Sequence, residues 1–294
     1  MPELPEVETV VRTLAPQVTG KVIHNMHILH AKSLQSPTVQ VASALHHATI
    51  ERVFRRAKLV MLQCRALHPL HPETNAQFFM AFHLKMTGRF FVHPGNTAPL
   101  KHTRLIFDMV QADQMDKAHQ ANNLHRLFFD DMRTFGYCRV MLPHELDIWD
   151  FWQKLGPEPL ETVAKSLAQR LHAKRGSIKA VLLDQTVVAG IGNIYADEAL
   201  FQAGIVPTAA ASSLSMPRLT RLAQAVQNVL QRSIEECGSS IRDYRDANGD
   251  AGSFQNNFFV YGRKGALCRV CNTPLDCSKV AGRTTVWCRN CQKG

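Results

Sequence analysis

Cys268, Cys271, Cys288 and Cys291 spell C-x2-C-x16-C-x2-C. Few local folds accommodate that spacing: two knuckles at the ends of a hairpin must bring four thiolates to one tetrahedral point, and the metal suited to such a set is zinc. Four thiolates leave no open coordination position, so the expected Zn2+ is structural. Its binding free energy, on the order of 10 kcal/mol, is what folds so short a segment. Cys277 lies between the pairs without a partner spacing and reads as a hairpin residue, whereas Cys64, Cys138 and Cys237 read as small buried hydrophobes.

The hairpin segment is also basic, with seven Lys or Arg against one acid, Asp276, between Tyr261 and Gly294. A ribbon of this charge suits contact with phosphates better than a purely structural clip. The whole chain agrees, carrying a formal net charge of +10 over 294 residues, which points to a polyanionic partner such as nucleic acid. No apolar run reaches the roughly 18 residues that a membrane helix requires. The acidic stretch MPELPEVE is the opposite of a basic signal-peptide n-region, so a cytoplasmic, nucleoid-associated protein is expected. Eight cysteines in such a reducing compartment argue against a disulfide framework.

This length exceeds one usual domain, and the pattern along the chain changes accordingly. Val7, Val10, Val11 and Leu14 fall at i, i+3, i+4 and i+7, with Pro5 and Glu6 early, which predicts a first helix. From Lys21 to Leu142 short β-branched and aromatic runs follow: 21–29, 49–64, 78–84, 89–92, 104–109 and 126–129, separated by turn-rich pieces at 68–75 and 93–99. Strands at such intervals predict a β-sandwich, with 109–124 as a long loop or short helical insert. After Pro143 the character is helical. One helix carries Trp149 and Trp152, and another starts at Ser215 and closes at Gly238. Residues 239–257 are rich in Gly, Ser, Asn and Asp and read as a loop of the kind that forms a lid.

The other chemically informative feature is the run MPELPEVET. If the initiator methionine is removed, Pro2 presents a secondary amine beside the carboxylate of Glu3. An α-amino group titrates at roughly 7.7 to 8.0 against about 10.4 for lysine, so a useful fraction is neutral at pH 7. Such an amine attacks a sugar aldehyde carbon to give a permanently charged iminium, with the neighbouring carboxylate available to carry protons.

Together the run MPELPEVET, Arg55-Arg56-Ala57-Lys58, the segment LDQTVVAGIGNIYADEALFQAGI over 183–205, and VYGRKG followed by the four cysteines resemble the formamidopyrimidine-DNA glycosylase family. The resemblance runs from end to end. It implies an α+β multidomain chain: an N-terminal β-sandwich catalytic domain with its N-terminal helix over 1–148, a helix-two-turn-helix DNA-binding domain over 149–262, and a zinc-ribbon finger over 263–294. It further implies excision of oxidised purines (8-oxoguanine and formamidopyrimidines) from double-stranded DNA, followed by strand cleavage through β,δ-elimination. A monomer with one zinc and no organic cofactor is expected.

By the same resemblance Pro2 is the nucleophile at C1′ and Glu3 its acid/base partner, with Lys58 and Arg283 also assigned to catalysis. Glu6 matches a second carboxylate near the site, although a favourable charge in a first helical turn explains it equally well. His83, His102, Lys179 and Asn193 match DNA contacts, Asn193 lying where a turn meets a helix and either a phosphate or an N-cap role fits. Because a base within a duplex cannot be reached, the nucleotide must be extruded and its place filled. Met86, Arg133 and Phe135 match the inserted residues, and Arg283 matches a ribbon arginine on the flanking phosphates. Two other readings stand beside this one: an endonuclease VIII-like glycosylase for oxidised pyrimidines, whose start typically reads MPEGPE, and a noncatalytic zinc-ribbon DNA-binding protein.

Overall fold

The periodic valines of the first segment form α1, Leu4–Val18, and Val7, Val10, Val11 and Leu14 are all at most 7% exposed. The computed structural model describes residues 1–36, 38–67, 76–117, 124–241 and 243–294. The turn-rich piece expected at 68–75 therefore lies outside the described residues. Two compact units result: Met1–Pro2 with Glu6–Gln153 and Ser240–Gly252, and Glu3–Pro5 with Lys154–Ser239 and Ser253–Gly294. No helix among the described residues is long and apolar enough to cross a membrane.

In the first unit α1 is followed by β1 (Lys21–Ile28), α2 (Thr38–Leu45), β2 (Ala48–Arg56), β3 (Leu59–Arg65), β4 (Gln77–His83), β5 (Gly88–Pro94), β6 (Thr103–Gln111), β7 (His125–Asp131) and β8 (Tyr137–Met141). Neighbouring strands are antiparallel in the order β5-β7-β6-β1-β2-β3-β4-β8. The sheet folds back on itself as a sandwich, because Phe82 on β4 lies 4.9 Å from Phe90 on β5, 6.0 Å from Phe107 on β6 and 5.5 Å from Phe129 on β7, ring centre to ring centre. The apolar stripe of α1 joins this core.

The run expected as one stretch over 49–64 is a hairpin, with Arg56 paired to Leu59 and Ala57 at φ +54 in its two-residue turn. β8 was not foreseen from the sequence: five residues are too few for an alternation to stand out. The insert after β6 begins as a 3-10 turn, Ala112–Lys117. The unit ends in α3 (Pro143–Asp147) and α4 (Asp150–Gln153), so the helix expected around both tryptophans is interrupted at Trp149.

The expected lid is divided. Its central part belongs to the first unit, where the Tyr244 hydroxyl donates to the Glu6 carbonyl (3.2 Å), the Ala247 amide to Thr13 Oγ1 (3.1 Å) and Gln17 to Asn248 Oδ1 (3.1 Å). Asp246 shapes this segment by accepting the amides of Asn248 and Asp250, both at 2.9 Å. Composition signalled a loop there, but a polar loop can dock once its turns satisfy their own amides.

The second unit contains α5 (Ala164–His172), α6 (Ile178–Leu183), α7 (Asn193–Ala203), α8 (Met216–Glu235) and the hairpin β9 (Asp276–Val280) and β10 (Arg283–Trp287). α7 is buried nearly all round and is the rod of this unit. Leu4 packs into its core. The end of α8 departs from expectation in one detail: Cys237, read as buried, is exposed and takes the left-handed turn at φ +58, while the Gly238 amide reaches back to the Ser233 carbonyl at 2.7 Å. Cys64 and Cys138 are fully buried.

Candidate active site and nucleic-acid interface

In the second unit, the loop before α7 is built around Glu3 and Leu4. The Leu4 amide donates to the Gly190 carbonyl at 3.0 Å, and the Ile194 amide donates to Glu3 Oε1 at 3.1 Å. Glu3, 3% exposed, thus occupies the N-terminus of α7, where free amides and the helix dipole favour an anion. The two glycines of Gly190-Ile191-Gly192 serve this approach for different reasons. Gly190 takes φ +84. Gly192 is extended, at φ −131, and open to any residue on backbone grounds, but a Cβ there would lie 2.3 Å from the Glu3 carboxyl carbon. The sequence marked this turn as a phosphate cradle or an N-cap; the chain's own carboxylate fills the helix terminus, and Gly192 rather than Asn193 is the N-cap. Asn193 instead sends its amide to the Thr284 carbonyl of β10 at 3.1 Å.

Lys179 was expected on the DNA, and the structure corrects this: its side chain is 0% exposed. Its ammonium lies 2.6 Å from Asp197 Oδ1 and donates to Thr285 Oγ1 at 2.7 Å, while Asp197 Oδ2 accepts the Val286 amide at 3.4 Å. Burial pushes the Asp197 carboxyl up to about 7 and the Lys179 amine down. The charges of Asp197 and Glu3 act on Lys179 to hold its proton, and that of Arg283 opposes them. Asn193 and Asp197, one helical turn apart, therefore clamp β10, and β10 begins with the exposed Arg283 after the two-residue turn Ala281-Gly282. Glu198, next on α7, accepts the amides of Phe259, Val260 and Tyr261 at 2.8 to 2.9 Å and fixes the chain that enters the cysteine hairpin. Asp197 and Glu198 were missed from sequence, yet two acids inside an apolar helix are a readable signal, since a buried carboxylate needs partners.

The four cysteines converge, with Cys268 and Cys291 sulfurs 3.8 Å apart, those of Cys271 and Cys288 3.4 Å apart, and all four within 4.8 Å of one another. Tetrahedral thiolates at the usual Zn–S length of about 2.3 Å would be separated by about 3.8 Å, so the donor set fits one metal ion. Cys277 lies on β9, outside this cluster.

In the first unit Pro2 is buried directly before Glu3. Glu6 is 1% exposed in the first turn of α1, so its carboxyl is not at the surface. Lys58 occupies the β2–β3 turn and not a strand, and is 7% exposed. That turn is tied to α1 by Arg55, which donates to Glu8 Oε2 at 3.0 Å and to the Ala57 carbonyl at 3.1 Å. His83, at the end of β4, is pushed down to about 3, mainly by burial and then by the charges of Lys85 and Lys58. Its Nδ1 accepts the Lys85 amide at 3.0 Å. The ring is therefore neutral with its proton on Nε2, a donor without charge.

The expected inserted residues are carried on loops held by Asp131, which is fully buried at the end of β7. Its carboxylate accepts the Thr87 hydroxyl next to Met86, the Arg133 amide at 3.2 Å and the Gly136 amide at 2.6 Å. Its own amide donates to the His102 carbonyl at 2.9 Å, and Arg104 donates to its carbonyl at 2.7 Å. Met86 and Phe135 are left 40% and 53% exposed, and the Arg133 guanidinium lies 4.9 Å over the Phe135 ring. Met86 and Phe135 are thus apolar side chains held outward on turns that Asp131 fixes. Asp131 was missed because the run D-D-M-R-T-F-G drew attention to its outward residues.

Similarity to known proteins agrees with this geometry. Residues 1–138 match the formamidopyrimidine-DNA glycosylase N-terminal domain, and 155–245 match the H2TH domain of the same enzymes. The formamidopyrimidine-DNA glycosylase of Carboxydothermus hydrogenoformans is 38% identical over 296 residues, covering 100% of both chains. That of Nitratidesulfovibrio vulgaris is 56% identical over 214 residues, a match spanning 73% of this chain and 55% of that protein. Among solved structures, a Lactococcus lactis FPG mutant in complex with Fapy-dG-containing DNA superposes with a TM-score of 0.85 at 30% identity over 100% of both chains. MutM in complex with carbocyclic 8-oxo-G-containing DNA gives 0.84 at 30% identity, again over 100% of both. The chain belongs to the formamidopyrimidine-DNA glycosylase family.

Proposed function

We propose that this protein, a DNA glycosylase of base excision repair, removes oxidised purines from duplex DNA with Pro2 as nucleophile and then cleaves the strand at the abasic site. The observation that carries this reading is the seating of the Glu3 carboxylate on the Ile194 amide, immediately after Pro2. After removal of Met1 the Pro2 amine adds to C1′ as the C1′–N9 bond breaks, and the base leaves with the bonding pair and a proton. The sugar ring opens as O4′ takes a proton, leaving an iminium at C1′. Glu3 is the carrier for these transfers. The iminium acidifies the C2′ hydrogen, whose loss expels the 3′ phosphate. A second proton loss expels the 5′ phosphate, and hydrolysis returns the amine.

Around this chemistry Met86, Arg133 and Phe135 fill the space of the extruded nucleotide, and His83, Lys58, Asn193 and Arg283 act on the backbone or the lesion. Solved relatives in complex with DNA bearing Fapy-dG and an abasic site support this substrate class. The cysteine cluster takes zinc as a structural ion that holds the hairpin of Arg283 in shape.

Borohydride trapping on a duplex with 8-oxoguanine opposite cytosine tests the nucleophile. A covalent adduct is expected that disappears in Pro2→Gly and when Met1 is retained. An adduct of equal yield in Pro2→Gly would remove the assignment, and preferential processing of thymine glycol would transfer the protein to the pyrimidine class.

A further inference from the structure

The turn that carries Met86 is tightly closed. The Gly88 amide donates to the Leu84 carbonyl at 2.9 Å, and a Cβ at Gly88 would lie 2.6 Å from that same oxygen, so a side chain there would break the closure. Within the turn Lys85 takes φ +50, a left-handed conformation that costs a lysine more than it would a glycine. Backbone strain of this kind persists where the surroundings hold it, and it clusters at ligand clamps. The Lys85 ammonium lies 5.5 Å from the centre of the Tyr137 ring, within cation–π range, and the His83 imidazole lies 5.8 Å from that same ring. Tyr137 and His83 are paired across β8 and β4, so the phenol ring is a fixed platform for both groups, and all of these residues belong to the first unit. The Lys85 amide donates to His83 Nδ1 at 3.0 Å, which leaves the ring proton on Nε2. Among the described residues that Nε2–H meets no acceptor, yet the atom is not sealed from solvent. Among them the Lys85 ammonium forms no ion pair either.

One neutral N–H and one positive charge therefore stand against a single ring. A phosphodiester, with two non-bridging oxygens and one negative charge, is their complement. A lone carboxylate would match the same pair, but the charge of Lys58 also bears on the His83 ring, and the net charge of +10 selects a polyanion. Lys85 directly precedes Met86, so their Cα atoms are about 3.8 Å apart, close to the rise of about 3.4 Å per nucleotide along one DNA strand. A side chain inserted at one base step thus brings its neighbour to the backbone of that step. We propose that Lys85 is a strand-contact residue: its ammonium and the His83 Nε2–H grip one phosphodiester flanking the extruded nucleotide, beside the gap that Met86 fills. This inference rests on the glycosylase reading and adds to it a grip built into the wedge turn itself, in which the left-handed backbone aims the charge and the Tyr137 ring holds it in place.

Binding of the full chain to a duplex with a stable abasic analogue and to an undamaged duplex, each measured over a range of salt, tests the grip. Lys85→Gly removes the charge while suiting the left-handed turn, so its melting temperature should be equal to or above that of the unmodified protein. On the abasic duplex its salt slope should fall by about one unit and its affinity by about fivefold or more near 0.15 M salt, with a smaller change on the undamaged duplex. Lys85→Arg should restore both quantities. His83→Gln should weaken binding less in the Lys85→Gly background than alone, because the two donors share one phosphate. Unchanged slope and affinity in Lys85→Gly overturn the inference. An equal loss on both duplexes would make Lys85 a general backbone contact and overturn its tie to the wedge. If the unmodified protein neither prefers the abasic duplex nor excises 8-oxoguanine, the glycosylase reading falls and takes this inference with it; if it does both and Lys85→Gly matches it, only the inference falls.

Discussion

Gly192→Ala adds one methyl group, and the structure says where it goes. The backbone at φ −131 and ψ −158 is open to alanine, so the substitution introduces no torsional strain. The new Cβ would lie 2.3 Å from Glu3 Cδ and 2.5 and 2.7 Å from its two oxygens, where unbonded carbons normally keep about 3.5 to 4.0 Å. The carboxyl must therefore retreat by about 1 Å or more, and in doing so it leaves the Ile194 amide. Losing a hydrogen bond to a charged group costs about 1.5 to 3 kcal/mol, and overpacking about 1 to 3 kcal/mol. One displacement causes both, so they overlap and a destabilisation of about 2 to 3 kcal/mol is expected. For the chemistry, a misplacement of about 1 Å costs on the order of 100-fold in rate. Single-turnover excision from an 8-oxoguanine duplex should fall by about that factor while binding to a duplex with a stable abasic analogue is kept. In a Glu3→Gln background the further loss should vanish, because the methyl then displaces a group that no longer carries protons. An excision rate for Gly192→Ala within about twofold of the unmodified protein would refute the argument that the seat of Glu3 governs catalysis.

Asp131→Asn, which puts an NH2 group where two amides and a hydroxyl now donate, should loosen the loops of Met86 and Phe135. It should reduce the 2-aminopurine signal of base extrusion, with unfolding destabilised by about 2 kcal/mol. Asp197 binds a proton in the folded state up to about pH 7 that the unfolded chain loses near 3.8, so this group makes stability fall as pH rises through that window. Asp197→Asn should flatten that part of a chemical-denaturation series, and an unchanged slope would contradict the buried pair. Arg283→Ala should lower the salt dependence of DNA binding by about one unit of slope, whereas His83→Gln, replacing a ring already neutral, should leave the slope unchanged. Cys288→Ser should lose metal and DNA affinity together; stoichiometric zinc in the purified variant would contradict the ligand set.

What could be read ahead of the structure was local or periodic. The helical stripe of α1, most strands of the sandwich and the double C-x2-C were legible because each has a period or spacing set by backbone geometry. β8 and the hairpin turn at Lys58 were not, since short segments are decided by their neighbours across the sheet. The docked course of 243–252 also escaped, because composition reports polarity and not which amides find partners.

The candidate site divides along the same line. Sequence by itself determined the chemical inventory: a proline at position 2 that becomes an amine on removal of Met1, the Glu3 carboxylate beside it, four cysteines spaced for one ion, and a basic ribbon, all properties of residue type and spacing. Only the tertiary structure decided their use. It buried Lys179 beside Asp197 instead of offering it to DNA, gave the N-terminus of α7 to Glu3 instead of a phosphate, and made Asp131 the clamp of three loops. The physical reason is that a charge takes its role from solvation and partners, which come from chain segments up to 191 residues apart, as Glu3 and Ile194 are.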